Sequence, residues 1–549
     1  MNISKFSSRW FPIQHLSVWG YAWLILLSVQ QVQGQTRWIF FPDKGPDVQA
    51  QILHPENYLS AEAVQRRLRL GIPVQSSDVP VYQGYLDQIQ AAGWDIVARS
   101  KWLNGVLVRP VWMQEEVVCQ EQLPGTILAE APFDPTQYGR AQVQNDFLNI
   151  QALHERDVWG QKVRVAVLDA GFNGVDTIPA FDSLRFGGRL LGTFDFVDRD
   201  QNVFHGSSHG TKVLSTMCAW APEQMIGTAP KASYYLLRTE VASKEPIEEQ
   251  ARFMEAMEWA DSAGVDLIHA SLGYNYFDDS TGNYTYADMD GKTAIPTIAA
   301  DKAASKGILV TVSAGNEGNN AWRRILTPCD ADSALCIGSI DSRRNLSRFS
   351  SIGPTSDGRI KPDIVAMGSR STVVLGSGRV ASGSGTSYSA PQVAGLMACL
   401  IQLHPKRGVM DLIRAVRLSG DRAAEPDTLF GYGLPDGGKA DSLLRTGEDL
   451  EALLEAARAP VIEPLPPPNS SDSVQWTLNN DALIVLGEEE LPILDYRLEH
   501  EGRQVHLHPR QVDQEEIQLE ISLEALLPGT YELYVRTRAG EQKIEFRRR

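Results

Sequence analysis

The chain has 549 residues, of which 43% are hydrophobic and 22% charged, and it carries a formal net charge of −17. Such a length suggests roughly three or four domains, and such a composition can bury a large core and is not that of a disordered chain. The acidic balance argues against nucleic acid as a main partner, because phosphate binding calls for a basic face.

Residues 1–34 read as a secretory signal peptide. Lys5 and Arg9 give a positive start, Leu16–Val29 is the apolar stretch, and Val32 and Gly34 suit cleavage near Gly34–Gln35. The alternative, an uncleaved anchor, meets a stretch shorter than the roughly 20 residues of a span. No later run is long and apolar enough to cross a bilayer. The expected protein is therefore secreted or at the cell surface, with no stable membrane span in its mature form.

Residues 35–142 have a small α+β pattern. "RWIFFP" reads as a strand, and Ser60 can N-cap a helix, "AEAVQRRLRLG", that ends at Gly71. "YLDQIQAAG" is a second helix, and "WDIVARSKWLNGVLVRP" supplies strands. Residues 143–445 alternate strand and helix. "VRVAVLDAG", "SYYLLRTEV", "VDLIHASLG" and "GILVTVSAGN" are apolar runs of strand length, and "IEEQARFMEAMEWADSAG" places Phe253, Met257 and Ala260 on one helical face. This alternation predicts an α/β fold, a mostly parallel sheet covered by helices on both faces. Functional residues in such sheets gather at the carboxyl ends of strands.

Residues 446–473 form a helical tail and a stiff proline-rich linker, "ARAPVIEPLPPPNSSDS". In residues 474–549, Tyr531, Leu533 and Val535 alternate with Glu532 and Tyr534, which predicts a small antiparallel β-domain. Five cysteines are too few, and odd in number, for a disulfide framework. Cys329 and Cys336 flank a short loop that permits a bridge without establishing one. Cys218 and Cys399 read as buried thiols.

Amide hydrolysis by a serine needs a nucleophile, a base, a group that orients the base, and donors for the oxyanion. Asp169 ends an apolar strand, where a carboxylate needs partners; capping the next turn would also explain it. His209, in "SSHGTKVLSTMCA", opens a helix. Asn316, in "VTVSAGNEG", follows a strand and could donate from its amide or simply occupy a turn. Ser387, in "SGSGTSYSAPQVAG", opens a helix whose start offers orphan N–H donors and favours developing negative charge. Pro391 is expected in the first turn, where a missing N–H is tolerated. The order is Asp, His, Asn, Ser, each within two residues of a glycine.

"VAVLDAG", "HGTKV", "SLG", "SAGNEG" and "GTSYSAPQVAG" resemble the signature blocks of subtilisin-like serine peptidases, the subtilases. So do "GTAPKA", "FSSIGPTSDGRIKPDIVAMG" and "GYGLPD", so that the resemblance covers about Val163 to Asp436. It implies an endopeptidase acting on protein or peptide substrates, with Ser387 as nucleophile, His209 as general base and acid, and Asp169 as its orienting carboxylate. Asn316 and the Ser387 N–H would form the oxyanion hole. Ser271, Leu272 and Gly273, with Ser313, Ala314 and Gly315, would hold the substrate backbone and line the main specificity pocket. No cofactor is implied for the chemistry. Structural calcium is common in the family, but Asp288 and Asp290 give only a fragment of a calcium loop, and no metal ligand can be assigned.

Three positions depart from the family pattern: Ala170 where a hydroxyl residue is commoner, His269 where Asn is frequent, and Met367 where Pro is usual. None removes a catalytic group. The stretch before the catalytic blocks resembles the prosegment of secreted subtilases of Bacteroidetes, implying an internal inhibitor cut between about Glu115 and Ile150. "EGRQVHL" and "LEALLPGTYELYVRTRAGEQKIEFRRR" resemble a type IX secretion sorting domain, implying that machinery as a partner. Two other readings compete. "GSSHG" matches the G-x-S-x-G elbow at Ser208, which requires a preceding strand that "DRDQNVFH" does not offer. A catalytically silent peptide-binding relative would ordinarily lack a triad member, and none is missing.

Overall fold

The computed structural model describes residues 36–110, residues 135–458 and strands between Gln475 and Arg548. The expected signal peptide, the proline-rich linker and most of the expected prosegment cleavage window lie outside these residues. Among the described residues, no helix is long and apolar enough to cross a membrane.

The first elements are β1 (Arg37–Phe40), α1 (Ala61–Leu70), α2 (Gln83–Ala91), β2 (Trp94–Ser100) and β3 (Gly105–Pro110). The side chain of Ser60 accepts the Ala63 N–H, and Gly71 closes α1 in the left-handed conformation at φ 69°, the two signals that mark this helix in the sequence. The strands form an antiparallel sheet ordered β1-β3-β2. Phe41, Val81, Leu86, Ile89, Val106 and Val108 make its small core. The described residues before His54 and those from Gln75 to Pro110 form this compact unit, whereas His54–Val74, with α1, belongs to the second unit together with the rest of the chain.

The second unit is built on β4 (Arg164–Asp169), β5 (Leu190–Asp195), α3 (His209–Cys218), β6 (Ser233–Arg238), α4 (Glu249–Ala263), β7 (Leu267–Ala270), α5 (Ile295–Ser305), β8 (Leu309–Ser313), β9 (Ala334–Ile340) and β10 (Ile364–Met367). A hairpin, β11 (Ser371–Val374) and β12 (Val380–Gly383), leads into α6 (Thr386–Leu403), then α7 (Val409–Ser419) and α8 (Gly437–Thr446). Seven strands pair in parallel in the order β10-β9-β8-β7-β4-β6-β5. Helices cover both faces, so every residue of β7, β8, β9 and β10 is buried rather than every second one. Phe253, Met257 and Ala260 of α4 are fully buried as the periodicity predicts, and so are Met254 and Ala256.

The order places β4 between β6 and β7. From β4 the chain passes to the edge strand β5, returns to β6 beside β4, then crosses β4 to β7 and builds outward to β10. Crossovers that leave in opposite directions open a crevice at the carboxyl end of the shared strand, and Asp169 is the last residue of β4.

Towards the C-terminus, β13 (Gln475–Leu478), β14 (Ala482–Leu486), β15 (Asp495–His500), β16 (Arg503–Val505), β17 (Arg510–Gln511), β18 (Gln518–Ser522), β19 (Gly529–Thr537) and β20 (Gly540–Arg548) form two antiparallel sheets, β13-β14-β18-β17 and β16-β15-β19-β20. Tyr531 and Leu533 are buried while Glu532 and Tyr534 are half-buried.

Candidate active site

Asp169 is completely buried, and His209 begins α3 beside it. His209 Nδ1 lies 2.9 Å from each Asp169 carboxylate oxygen. Nδ1–H therefore donates to the carboxylate, and Nε2 keeps the lone pair that a base requires. Asp169 Oδ1 also accepts the Ala170 N–H at 2.7 Å, so the residue that lacks a supporting hydroxyl still supports the carboxylate through its backbone. Burial opposes a charge on His209, but the adjacent Asp169 charge and its hydrogen bond outweigh burial and raise the imidazole above its ordinary value.

Ser387 is the second residue of α6 and 7% exposed. Gly385 enters the helix at φ 155° and ψ 153°, a backbone region essentially reserved for glycine. The ring of Tyr388, the residue after Ser387, lies 6.1 Å from that of His209. As N2 of the helix, Ser387 has a backbone N–H with no intrahelical partner.

Asn316 is fixed by a residue the sequence reading overlooked. Its Oδ1 accepts the Thr386 N–H at 2.9 Å and the Thr386 hydroxyl at 3.1 Å. With Oδ1 so engaged, Nδ2 is the donor that remains for an oxyanion.

Pro391 corrects an expectation. The helix starts at Thr386, so Pro391 falls in the second turn, where its missing N–H leaves the Ser387 carbonyl without its i+4 donor. The Ser271 hydroxyl donates to that carbonyl instead, at 3.0 Å. Ser271 in turn lies 2.8 Å from His269 Nε2, and His269 Nδ1 lies 3.0 Å from the Thr311 hydroxyl. A consistent set of protons runs from Thr311 O–H to Nδ1, from Nε2–H to Ser271, and from Ser271 O–H to Ser387. His269 is fully buried, and burial, followed by the nearby His209, lowers its pKa to about 3. It is therefore neutral near neutral pH, the state in which it holds this chain.

The two predicted substrate segments differ. Leu272 and Gly273 are half-buried just beyond β7, whereas Ser313, Ala314 and Gly315 are buried. The Ala314 N–H donates to Ile337 O at 2.9 Å and its carbonyl accepts from Leu326 N–H at 3.2 Å. The second segment can thus serve as a wall, but Ala314 has its backbone already engaged.

Protein donors engage both acidic clusters. Asp288 accepts the N–H and hydroxyl of Thr285, and Asp290 accepts the Lys292 and Thr293 N–H groups and the Thr293 hydroxyl. Asp195, Asp198 and His205 are, among the described residues, a group with ligand-like spacing. Arg238 Nη1 sits 2.6 Å from both carboxylates and fills the place a cation would take. Ser208 follows irregular backbone rather than a strand, so the elbow geometry is not formed there. Cys329 and Cys336 are bridged, and Cys218 and Cys399 are buried free thiols.

A buried carboxylate and the imidazole it orients lie at the end of β4, where the strand order reverses, and Thr386, which holds Asn316, is followed by Ser387 at the start of α6. The chain belongs to the subtilase family: the family model matches residues 160–433, and a model described as the peptidase S8 propeptide domain of Bacteroidota matches residues 36–123. Subtilisin from Bacillus pumilus is 30% identical over 271 residues, covering 49% of this chain and 85% of that protein. Subtilisin NAT from Bacillus subtilis subsp. natto is 31% identical over 271 residues, and the match spans 61% of its length and 49% of this chain. The CspB protease of Clostridium perfringens superimposes with a TM-score of 0.48 at 16% identity, over 56% of this chain and 99% of that one.

Proposed function

We propose that this chain is a secreted serine endopeptidase made as a zymogen. Ser387 attacks the peptide carbonyl, His209 takes its proton and later delivers one to the leaving amine, and Asp169 holds the His209 tautomer. The Ser387 N–H and Asn316 Nδ2 stabilise the oxyanion, and water then hydrolyses the acyl-enzyme. Ser271–Gly273 and Ser313–Gly315 flank the substrate backbone. The observation that carries this reading is the bidentate approach of His209 to buried Asp169, next to a helix that begins at Thr386 and presents Ser387. The prosegment acts as internal inhibitor, the N-terminal segment as export signal, and the C-terminal β-domain as the element read by a type IX secretion system.

A serine-directed phosphonylating reagent tests the centre. It should label the processed protein at one site, and Ser387→Ala should abolish labelling and lower kcat by about 10⁴-fold or more. Labelling that survives the substitution overturns the nucleophile assignment, and absence of labelling in processed wild-type protein favours a silent peptide-binding protein. N-terminal sequencing of the exported protein tests signal and prosegment removal together.

A further inference from the structure

Helix α1 lies within the matched propeptide region, yet it belongs to the same compact unit as the catalytic sheet. It rests on the C-terminal ends of α4 and α5. The Ser60 N–H donates to Ser262 O at 2.9 Å. Gly264, which ends α4 at φ 84°, leaves no room for a Cβ, which would lie 2.5 Å from Glu62 Cβ and 2.7 Å from Ala63 N.

Two consecutive arginines dominate the contact. Arg66 donates to Val265 O at 2.5 Å, to Lys306 O at 3.1 Å and to Asp261 Oδ1 at 2.5 Å. Arg67 Nη2 reaches both Asp261 oxygens, at 2.9 and 3.0 Å. Both arginines are 1% exposed and Asp261 is 0% exposed. Arg69–Asp266 and Arg164–Glu62 pairs, at 2.7 and 3.0 Å, stand at the rim. The chemistry is well matched. Two helix ends converge carbonyls and negative dipole ends on one spot, a carboxylate adds a full charge, and a planar guanidinium donates to all of them.

Val265 and Lys306 lie just before β7 and β8, whose far ends lead to Ser271 and Ser313. At about 3.3 Å per residue, those four- and five-residue strands separate the two ends by roughly 15 Å. We infer that Asp261, with the carbonyls of Val265 and Lys306, is a guanidinium-binding docking site on the catalytic body, remote from the catalytic centre. It holds a helix bearing two adjacent arginines, here the prosegment's own, whether or not the centre is occupied. From the proposed function this takes only that the prosegment is cut; the site remains on the body afterwards.

The test uses the full chain. Hydrogen exchange should show α1 losing protection by about 100-fold or more in Asp261→Asn, while peptides from β7, β8 and α6 keep theirs. An Arg66→Met, Arg67→Met double variant, which leaves the catalytic body unaltered, should do the same. After processing, the cut prosegment should co-elute with the wild-type body in size exclusion and separate from it in the double variant, with unchanged turnover of a short peptide substrate. Undiminished α1 protection in the double variant overturns the inference, as does equal loss of protection throughout the sheet. A protein that never cuts itself would defeat the endopeptidase reading, and hydrogen exchange would still decide this one.

Discussion

Whether His209 is charged decides whether it can accept a proton. The Asp169 charge and hydrogen bond overcome burial and lift its pKa above the ordinary 6.5, so the base form is lost as pH falls through that raised value. The kcat/KM profile should show an acid limb above 6.5; a flat profile between about pH 5 and pH 8 would exclude His209 as base. His269 carries a different expectation. His269→Ala should lower kcat by about 10- to 100-fold with KM little changed, because it loosens the hydroxyl that fixes the Ser387 carbonyl. His269→Asn, which can still donate to Ser271, should recover most of that loss and leave the acid limb in place. Wild-type kcat in the alanine variant would reduce His269 to packing. The candidate catalytic residues could be read from the sequence because each sits in a short block with its glycines. The role of His269 could not, because its Thr311 partner lies 42 residues away. Its departure from the family pattern was visible, but not its consequence.

Elements were legible where burial makes sequence redundant. Fully covered parallel strands read as unbroken apolar runs, so β4, β6, β7 and β8 stood out. The start of α6 was harder to place, because small residues both precede and open it. This is why Pro391 was expected one turn too early. Its true position links two elements: Pro391 removes a helix hydrogen bond and Ser271 replaces it. Ser271→Ala should therefore leave a buried carbonyl unsatisfied and cost about 1–3 kcal/mol. Adding Pro391→Ala should return a donor from within the helix and restore part of that stability. Thermal denaturation of the two single variants and the double variant checks this, and strictly additive losses would contradict it.

Within the catalytic body, Asp363 ties β9, the stretch before β10 and α7 together. It accepts from Cys336 N–H at 2.6 Å, from Lys361 Nζ at 2.9 Å and from the half-buried Arg417 Nε at 3.0 Å. Burial opposes its charge, but Arg417 and Lys361 outweigh burial and hold its pKa below 3.8. A depressed carboxylate contributes stability above its unfolded pKa and loses it as pH falls through the folded one. Asp363→Asn should cost about 3–5 kcal/mol near neutral pH, and the deficit should shrink below about pH 4; urea unfolding at several pH values measures it. The sequence predicted a parallel sheet but not its strand order, because order depends on which way each crossover turns. That order has a consequence in time. The contacts that join Asp169 to His209, Asn316 to Thr386 and Ser271 to Ser387 bridge 40, 70 and 116 residues of chain. Until the crossovers on both sides of β4 have closed, Asp169, His209, Asn316 and Ser387 ride on separate, unassembled segments. On the proposed function, a half-folded copy is therefore harmless to its neighbours through geometry alone, before any inhibitor has had to act.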